Sequence, residues 1–364
     1  ERMEKILICV LGITCTHYAL TSFSPIYRYK HHGLIKINRM LTTPSRSLIS
    51  LSMAIDLSSG LQGVNARILM ENAERLGRIE RSLIGKKYPV KTLTPLPLNT
   101  AISKTLPSDN TTLLSKAVLL RDGCVSIKNV LSAETADKLL EFVNKEKEKS
   151  EIDVKNGQAI YDDRFGAVNN RRNRADMFLP FDEKIVENAL CEAVNNLLPF
   201  LQSLDGMMES GSLHELSCII SDPGSPTQCV HCDTPFLPNV APLYTFFIAL
   251  QDVDDDMGHT TYLPKTHTKA AHDIFNAGIK QKEELIAITP PVASSLKKGD
   301  VAVFDSRVLH CGGANTSNGR RRVLFYFTFT AGDVEKNNPN PSRGTGSIRS
   351  VDRLKHTLKS LLKK

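Results

Sequence analysis

Three stretches of the chain carry residues whose types and spacing could build a metal centre. His231 and Asp233 flank Cys232. On a β-strand, residues two apart project to the same face, so an imidazole and a carboxylate there converge on one point. One nitrogen and one oxygen donor suit a borderline metal such as Fe(II). A His-x-Asp alone arises readily by chance in a chain with 10 histidines. His310 is the second piece: it ends the segment VAVFDSRVLH and is followed by Gly312-Gly313, where the backbone can turn sharply. Arg321 is the third. In RRRVLFYFTFT, Val323, Phe325, Phe327 and Phe329 make one apolar face with Arg321 at its end, while Arg320 and Arg322 share the other face with Tyr326, Thr328 and Thr330. Alternation thus predicts Arg321 as the inward guanidinium. A buried Arg without a counter-ion is costly, and its planar fork matches a carboxylate. No acidic partner stands out on neighbouring strands, so a bound dicarboxylate is expected to meet it.

The elements that must hold these residues change character along the chain. Residues 64–84 have the period of an amphipathic helix, with Ile68, Leu69, Ala73, Leu76, Ile79 and Leu83 near one face. A Pro-punctuated stretch follows, with Pro89, Pro95, Pro97 and Pro107. A strand is predicted over Val118–Lys128, interrupted at Asp122-Gly123. Ser132 is expected to cap a helix burying Ala136, Leu139, Leu140 and Val143. Asp182 is expected to cap a second, with the stripe Ile185/Val186, Ala189/Leu190, Ala193/Val194 and Leu197/Leu198. Beyond residue 212 the period becomes two, and segments at 213–220, 226–236, 243–251, 260–263, 301–304, 307–311 and 320–330 read as strands. Helices first and short strands after predict a mostly β protein with flanking helices, its core a double-stranded β-helix (jelly roll, cupin-like).

With these motifs in order, the chain resembles the phytanoyl-CoA dioxygenase family of Fe(II)/2-oxoglutarate-dependent oxygenases. RDGCVSIKNVLSAETADKL looks like the family's opening and SDPGSPTQCVHCDTPF like its Pro-Gly…Gln-x-x-His-x-Asp segment. MGHTTYLPKTHT looks like its Gly-x-Thr-x-x-x-Pro-Gly-Ser-His block, and HCGGANTSNGRRRVL like its His-x-x-Gly-x-Asn…Arg block. The resemblance covers residues 117–332. It implies that His231, Asp233 and His310 bind Fe(II), and that Arg321 pairs with the distal carboxylate of 2-oxoglutarate. It also implies that Gln228 and Thr260 contact that cosubstrate, for which the plainer reading is ordinary polar strand positions. The activity implied is hydroxylation of a small metabolite or acyl-CoA-like lipid with O2, releasing succinate and CO2, with ascorbate as a reductant. Asp233 stands where related halogenases carry a small residue, which favours hydroxylation or desaturation. Lys265 and Thr266 depart from the family's Gly-Ser, and Cys311 follows the distal His; these positions are expected to shape the substrate pocket. Arg171, Arg172 and Arg174 could meet an anionic substrate or form a surface loop. The acidic run Asp252, Asp254, Asp255 and Asp256 lacks the calcium-loop pattern and is expected to be solvated.

Composition sets the limits. The chain has 364 residues, 41% hydrophobic and 23% charged, a soluble globular balance with no stable membrane span. The net charge of +7 is carried by the ends. Residues 1–55 hold seven Lys/Arg against two Glu and residues 343–364 seven against one Asp, which leaves the stretch between them at −4. A nucleic-acid partner therefore loses its support. Residues 1–55, an apolar run then an acid-free basic stretch, read as a cleaved presequence for a plastid or mitochondrion, with a disordered tail on a cytoplasmic protein as the alternative. Residues 56–112 read as helix plus Pro-rich linker, 113–332 as the dioxygenase domain, and 333–364 as a basic tail forming a solvated amphipathic helix. Cys229 and Cys232 lack a second pair for zinc, so reduced thiols are expected. The competing classes are a non-catalytic cupin-like metal- or ligand-binding protein and a zinc hydrolase; Arg321 and the lack of a general base disfavour the hydrolase.

Overall fold

The computed structural model describes residues 60–97, 110–166, 168–330 and 361–362. The predicted leader 1–55 lies outside the described residues, as does most of the C-terminal tail. Two sheets form the framework. The larger has six strands in the order β2 (Cys124–Ile127), β8 (Val301–Asp305), β5 (Leu243–Ala249), β10 (Arg322–Thr330), β4 (Leu213–Ser221) and β3 (Arg174–Phe178). The smaller runs β1 (Lys91–Thr92), β7 (Val292–Ser294), β6 (Thr260–Leu263) and β9 (Leu309–Gly312), and His231 bridges to His310 beyond β9.

Helices account for more of the described residues than strands do, which corrects the expectation of a mostly β chain. The large sheet is apolar on the side away from the small sheet, and that side needs cover. Helices α3 (Ala133–Lys155) and α5 (Lys184–Asn196) provide it. They set Ala136, Leu139, Val143, Val186, Ala189, Leu190, Ala193 and Val194 against Val301, Val303, Val323, Phe325, Phe327 and Phe329. Ser132 caps α3 as expected, accepting the Thr135 N–H. The cap position of α5 falls on Glu183 and not Asp182, without a side-chain bond. Leu361 of the basic tail is fully buried in this same core with Leu362 beside it, so at these two residues the tail is packed and not solvated. Leu190 sits at the centre of this layer, 0% exposed. Leu190→Ala is expected to lower the unfolding free energy by about 2–5 kcal/mol in denaturant titration; a loss well under 1 kcal/mol would contradict the assignment of this face as the main core.

Three other sequence expectations shift. Residues 118–122 are helical, the end of α2 (Asn110–Asp122), whose buried positions Thr112, Ser115 and Leu119 follow the helical period; Gly123, at φ +80°, ends it and β2 begins. The segment 226–236 is not a strand but an extended loop that meets β9 through an isolated bridge at His231 and hydrogen bonds between Gln228 and Gly312. β3, by contrast, was not expected. Helix α1 (Gly60–Leu83) exists as predicted, but it buries Glu74, Gly77 and Glu80, while Ile79 is 39% exposed. The outer side of the small sheet is covered by Leu83 and Ile84 at the end of α1 and by Leu285 and Ile286 of α9 (Ile279–Ile288), packed on Val230, Leu263, Leu309 and Cys311.

Candidate metal and cosubstrate site

The space between the sheets is bordered by one face of each. From the small sheet, β6 offers Thr260 and Tyr262, paired across the ladder with Gly312 and His310 of β9. Across from them, the large sheet offers rows that the register fixes: Arg174–Ser221–Arg322, then Asp176–Ile219–Leu324, then Phe178–Ser217–Tyr326. Phe304, Phe247 and Tyr326 run in ring contact from His310 towards Asp176, with successive centroids 5.0, 5.0 and 5.4 Å apart. The Tyr326 hydroxyl lies 2.9 and 3.0 Å from the two Asp176 oxygens.

His231, Asp233 and His310 come together, their ligand atoms all within 4.8 Å of one another. The backbone does the positioning. His231 and His310 exchange both N–H···O bonds, at 2.9 and 2.8 Å, and the N–H groups of Asp233 and Thr234 both donate to the Ser306 carbonyl. Each imidazole is oriented through Nδ1, which faces a backbone carbonyl: Cys229 at 2.8 Å for His231 and Val308 at 3.0 Å for His310. A donor at Nδ1 leaves the Nε2 lone pair free, the form a metal ligand requires. Both Nε2 atoms point at Asp233 Oδ1, 3.8 and 3.6 Å away. Burial pushes both imidazoles down to about 4, so they are neutral at physiological pH. Desolvation raises the Asp233 carboxyl, while its side chain stays 40% accessible. Two neutral imidazoles and a carboxylate on one point fit a divalent cation such as Fe(II). Among the described residues no other group of His, Cys, Asp and Glu has this arrangement.

The guanidinium expected at this site is a different one. Arg321 belongs to the helix-covered side of the large sheet, where its Nε donates to Asp222 at 2.5 Å and its Nη1 to Asn144 at 2.9 Å. The apolar face that marked it as inward does face a core, but the core under the helices. The side towards His231, Asp233 and His310 carries Arg322, 1% exposed. Arg322 donates to the Gly258 carbonyl and to Ser221 Oγ, and its Nε has no hydrogen-bond partner. Beside it Arg174, 4% exposed, donates to Ser221 Oγ and the Gly313 carbonyl, and its Nη1 is also without one. Neither guanidinium has a carboxylate partner among the described residues. Desolvation lowers Arg322 to about 10; desolvation and the neighbouring Arg322 lower Arg174 to about 9. Two buried cations with open donors have the chemistry to receive an anion, and the fork geometry favours a carboxylate.

The remaining candidates divide. Thr260 is buried on the inward face opposite Gly312. Gln228 borders the guanidiniums, but both ends of its amide are committed to backbone: Oε1 accepts the Gly312 N–H and Nε2 donates to the Asn169 carbonyl. Thr266 ties strands together, its hydroxyl donating to Leu263 O and accepting the Leu309 N–H, and Cys311 faces the outer cluster, so neither shapes the pocket. Lys265 occupies a left-handed turn position at φ +67°, which explains why glycine suits it in the family pattern. The acidic run holds basic side chains instead of facing only water: Asp254 and Asp256 take Arg320, and Asp252 takes Lys297. Arg171 lies over the Tyr161 ring and Arg172 pairs with Glu74 at 3.3 Å, so with Arg174 buried the three arginines do not form one anion-binding patch.

A histidine outside the metal group fixes the loop that follows Asp233. His272 accepts the Phe236 N–H at Nδ1 and donates from Nε2 to the Arg307 carbonyl, so the bond pair needs the neutral ring. Burial lowers its affinity for protons. The unfolded chain binds a proton below about pH 6.5 while the folded one resists, so this group's contribution to stability falls as pH drops through that value. The stability gap between the protein and a His272→Gln variant is expected to narrow between about pH 7.5 and pH 5.5. A gap independent of pH would contradict the neutral-ring assignment.

The family described as phytanoyl-CoA dioxygenase (PhyH) matches the chain over residues 119–323. Dioxygenase aneA of Aspergillus aculeatus is 24% identical over 231 residues, 60% of this chain and 73% of that protein. Among solved structures, the non-heme alpha ketoglutarate dependent carbocyclase SnoK from nogalamycin biosynthesis is similar at a TM-score of 0.44 and 19% identity, covering 61% of this chain and 84% of that one. HygX from Streptomyces hygroscopicus, solved with nickel and 2-oxoglutarate bound, is similar at a TM-score of 0.45 and 12% identity, covering 68% and 96%.

Proposed function

Because the chain belongs to the phytanoyl-CoA dioxygenase family and is a 2-oxoglutarate-dependent dioxygenase using Fe(II), we propose that His231, Asp233 and His310 hold the iron and that the two sheets are the halves of a double-stranded β-helix around it. The convergence of the three donors, with both imidazoles oriented through Nδ1, carries this reading. When bound, Fe(II) supplies the place where O2 and 2-oxoglutarate react, coupling oxidative decarboxylation to succinate and CO2 with insertion of one oxygen atom into a substrate C–H bond. The chain's own residues do the rest. Arg322, with Arg174 beside it, pairs with the distal carboxylate of 2-oxoglutarate, and Ser221 Oγ, which takes a hydrogen bond from each guanidinium, sets their spacing. Thr260 faces the same space from the small sheet. Phe304 and Tyr262 pack beside His310 and limit water on that side of the imidazole.

The substrate is a small metabolite or lipid carrying polar groups. The large-sheet wall that looks towards the metal donors supports this, since it mixes Phe178, Ile219 and Phe247 with Asp176, Ser217 and Tyr326. An acyl-CoA-like anion loses the cluster of Arg171, Arg172 and Arg174 that favoured it. The basic leader, free of Asp and Glu from Lys5 to Ile55, supports delivery to a plastid or mitochondrion. The test is to incubate the purified full chain with Fe(II), 2-oxoglutarate and ascorbate and to assay succinate. Slow uncoupled formation above a protein-free blank is expected, rising when a pool of candidate metabolites includes the true substrate. No succinate above the blank, with or without the pool, would overturn the reading.

A further inference from the structure

The loop that carries His231 has an irregularity next to the metal donors. Gln228 N–H donates to the Gly312 carbonyl, and His231 exchanges both backbone bonds with His310. The loop therefore takes three residues to advance from Gln228 to His231 while β9 takes two from Gly312 to His310. One residue bulges out, and a bulge leaves a backbone N–H without a ladder partner and re-aims the side chain beside it. Here that N–H is at Val230, and it donates to Glu80 Oε2 at 2.6 Å.

Glu80 comes from α1, which precedes the family match at residues 119–323. Its side chain is 1% accessible, and its Oε1 meets Lys282 Nζ of α9 at 2.7 Å. Lys282 in turn lies over the Phe275 ring at 4.6 Å. The helix approaches the loop closely elsewhere too. A Cβ on Gly77 would stand 2.7 Å from the Thr227 carbonyl, so only glycine admits this approach, and Cys229 Sγ donates to the Ala73 carbonyl. α1 thus takes the place of a neighbouring strand along the irregular edge. An ion pair whose carboxylate is buried this fully is an expensive way to stabilise a helix contact, since apolar side chains of like volume serve as well or better. A carboxylate is the better choice where a backbone N–H must be held.

We propose that Glu80, braced by Lys282, is a positioning residue for the metal centre: by holding the bulged Val230 N–H it fixes the 229–231 backbone and so the direction of the His231 ring, whose Nδ1 hangs on the Cys229 carbonyl of the same bulge. The inference rests on the reading of His231 as a metal ligand. Groups that orient a ligating histidine typically contribute 10–100-fold to metal affinity.

Two double variants of the full chain separate this role from simple packing. Glu80→Leu/Lys282→Met replaces the ion pair by apolar side chains and removes the acceptor. Glu80→Gln/Lys282→Met removes both charges but keeps a carbonyl for the Val230 N–H. Binding of Ni(II), used as the probe metal, is measured by calorimetry below the thermal transition of each protein. The Leu/Met variant is expected to bind about 10–100-fold more weakly than the unmodified chain, and the Gln/Met variant within a few-fold of it. Arg81→Ala, which removes a hydrogen bond from α1 to Thr261 without touching the bulge, is expected to leave affinity unchanged. Equal Ni(II) affinity in the two double variants would overturn the proposal. Undiminished binding in His231→Ala would instead overturn the site assignment on which it rests.

Discussion

Asp233→Ala is expected to abolish 2-oxoglutarate turnover, lowering uncoupled succinate formation by at least about 100-fold, because groups that merely orient a ligand already contribute 10–100-fold to metal affinity or activity. The variant should fold. The backbone N–H of residue 233 still donates to the Ser306 carbonyl, and the lost carboxyl is one that its surroundings disfavour in charged form. Removing it leaves two neutral imidazoles, which bind a divalent cation less tightly than the set with a carboxylate. The measurement pairs a succinate assay with calorimetric titration of Ni(II). Loss of both with an unchanged circular dichroism spectrum is expected. Succinate formation at the unmodified rate would remove Asp233 from the centre.

The second large effect contrasts neighbouring arginines. Arg322→Leu is expected to weaken 2-oxoglutarate binding by about 1.5–3 kcal/mol, roughly 10–150-fold, the range for a hydrogen bond to a charged group. Among the described residues its Nε has no hydrogen-bond partner and neither Arg322 nor Arg174 has a carboxylate, so a ligand carboxylate gains interactions left open. Arg321→Leu should change that affinity less than twofold, since its guanidinium is engaged with Asp222 and Asn144 on the far side of the sheet. Its cost falls on stability, about 1 kcal/mol from a half-exposed ion pair and hydrogen bond. Calorimetric titration of 2-oxoglutarate into the Ni(II)-loaded proteins decides the matter. A large loss in Arg321→Leu and none in Arg322→Leu would restore the sequence assignment and reverse the one drawn from the fold.

That reversal marks the limit of what the sequence made legible. The candidate metal donors were legible because their motifs match the family pattern in order; His-x-Asp alone is common by chance, and the segment carrying His231 is a loop and not the strand that alternation assumed. Alternation in β10 correctly sorted its residues into two faces. It failed to say which face looks at the site, because both sides of the large sheet are buried, and the wholly apolar one belongs to the helices. β3 escaped notice for a related reason. Its inward residues are Arg174 and Asp176, the reverse of the apolar-in pattern that identifies strands. In α1, hydrophobic periodicity favoured the side with Ile79, whereas the docked side carries Glu74, Gly77 and Glu80 because it meets open backbone groups and basic side chains. These three errors fall where polar residues point inward, which is where local pattern and fold are expected to part.

The central claim is that one molecule of 2-oxoglutarate is held at once by the metal on His231, Asp233 and His310 and by Arg322. Titrating 2-oxoglutarate into the full chain with and without Ni(II) tests it most directly. Binding of one equivalent that weakens sharply when either the metal or the Arg322 side chain is removed is the expected result. Binding of equal strength with and without metal would place the cosubstrate elsewhere and contradict the account.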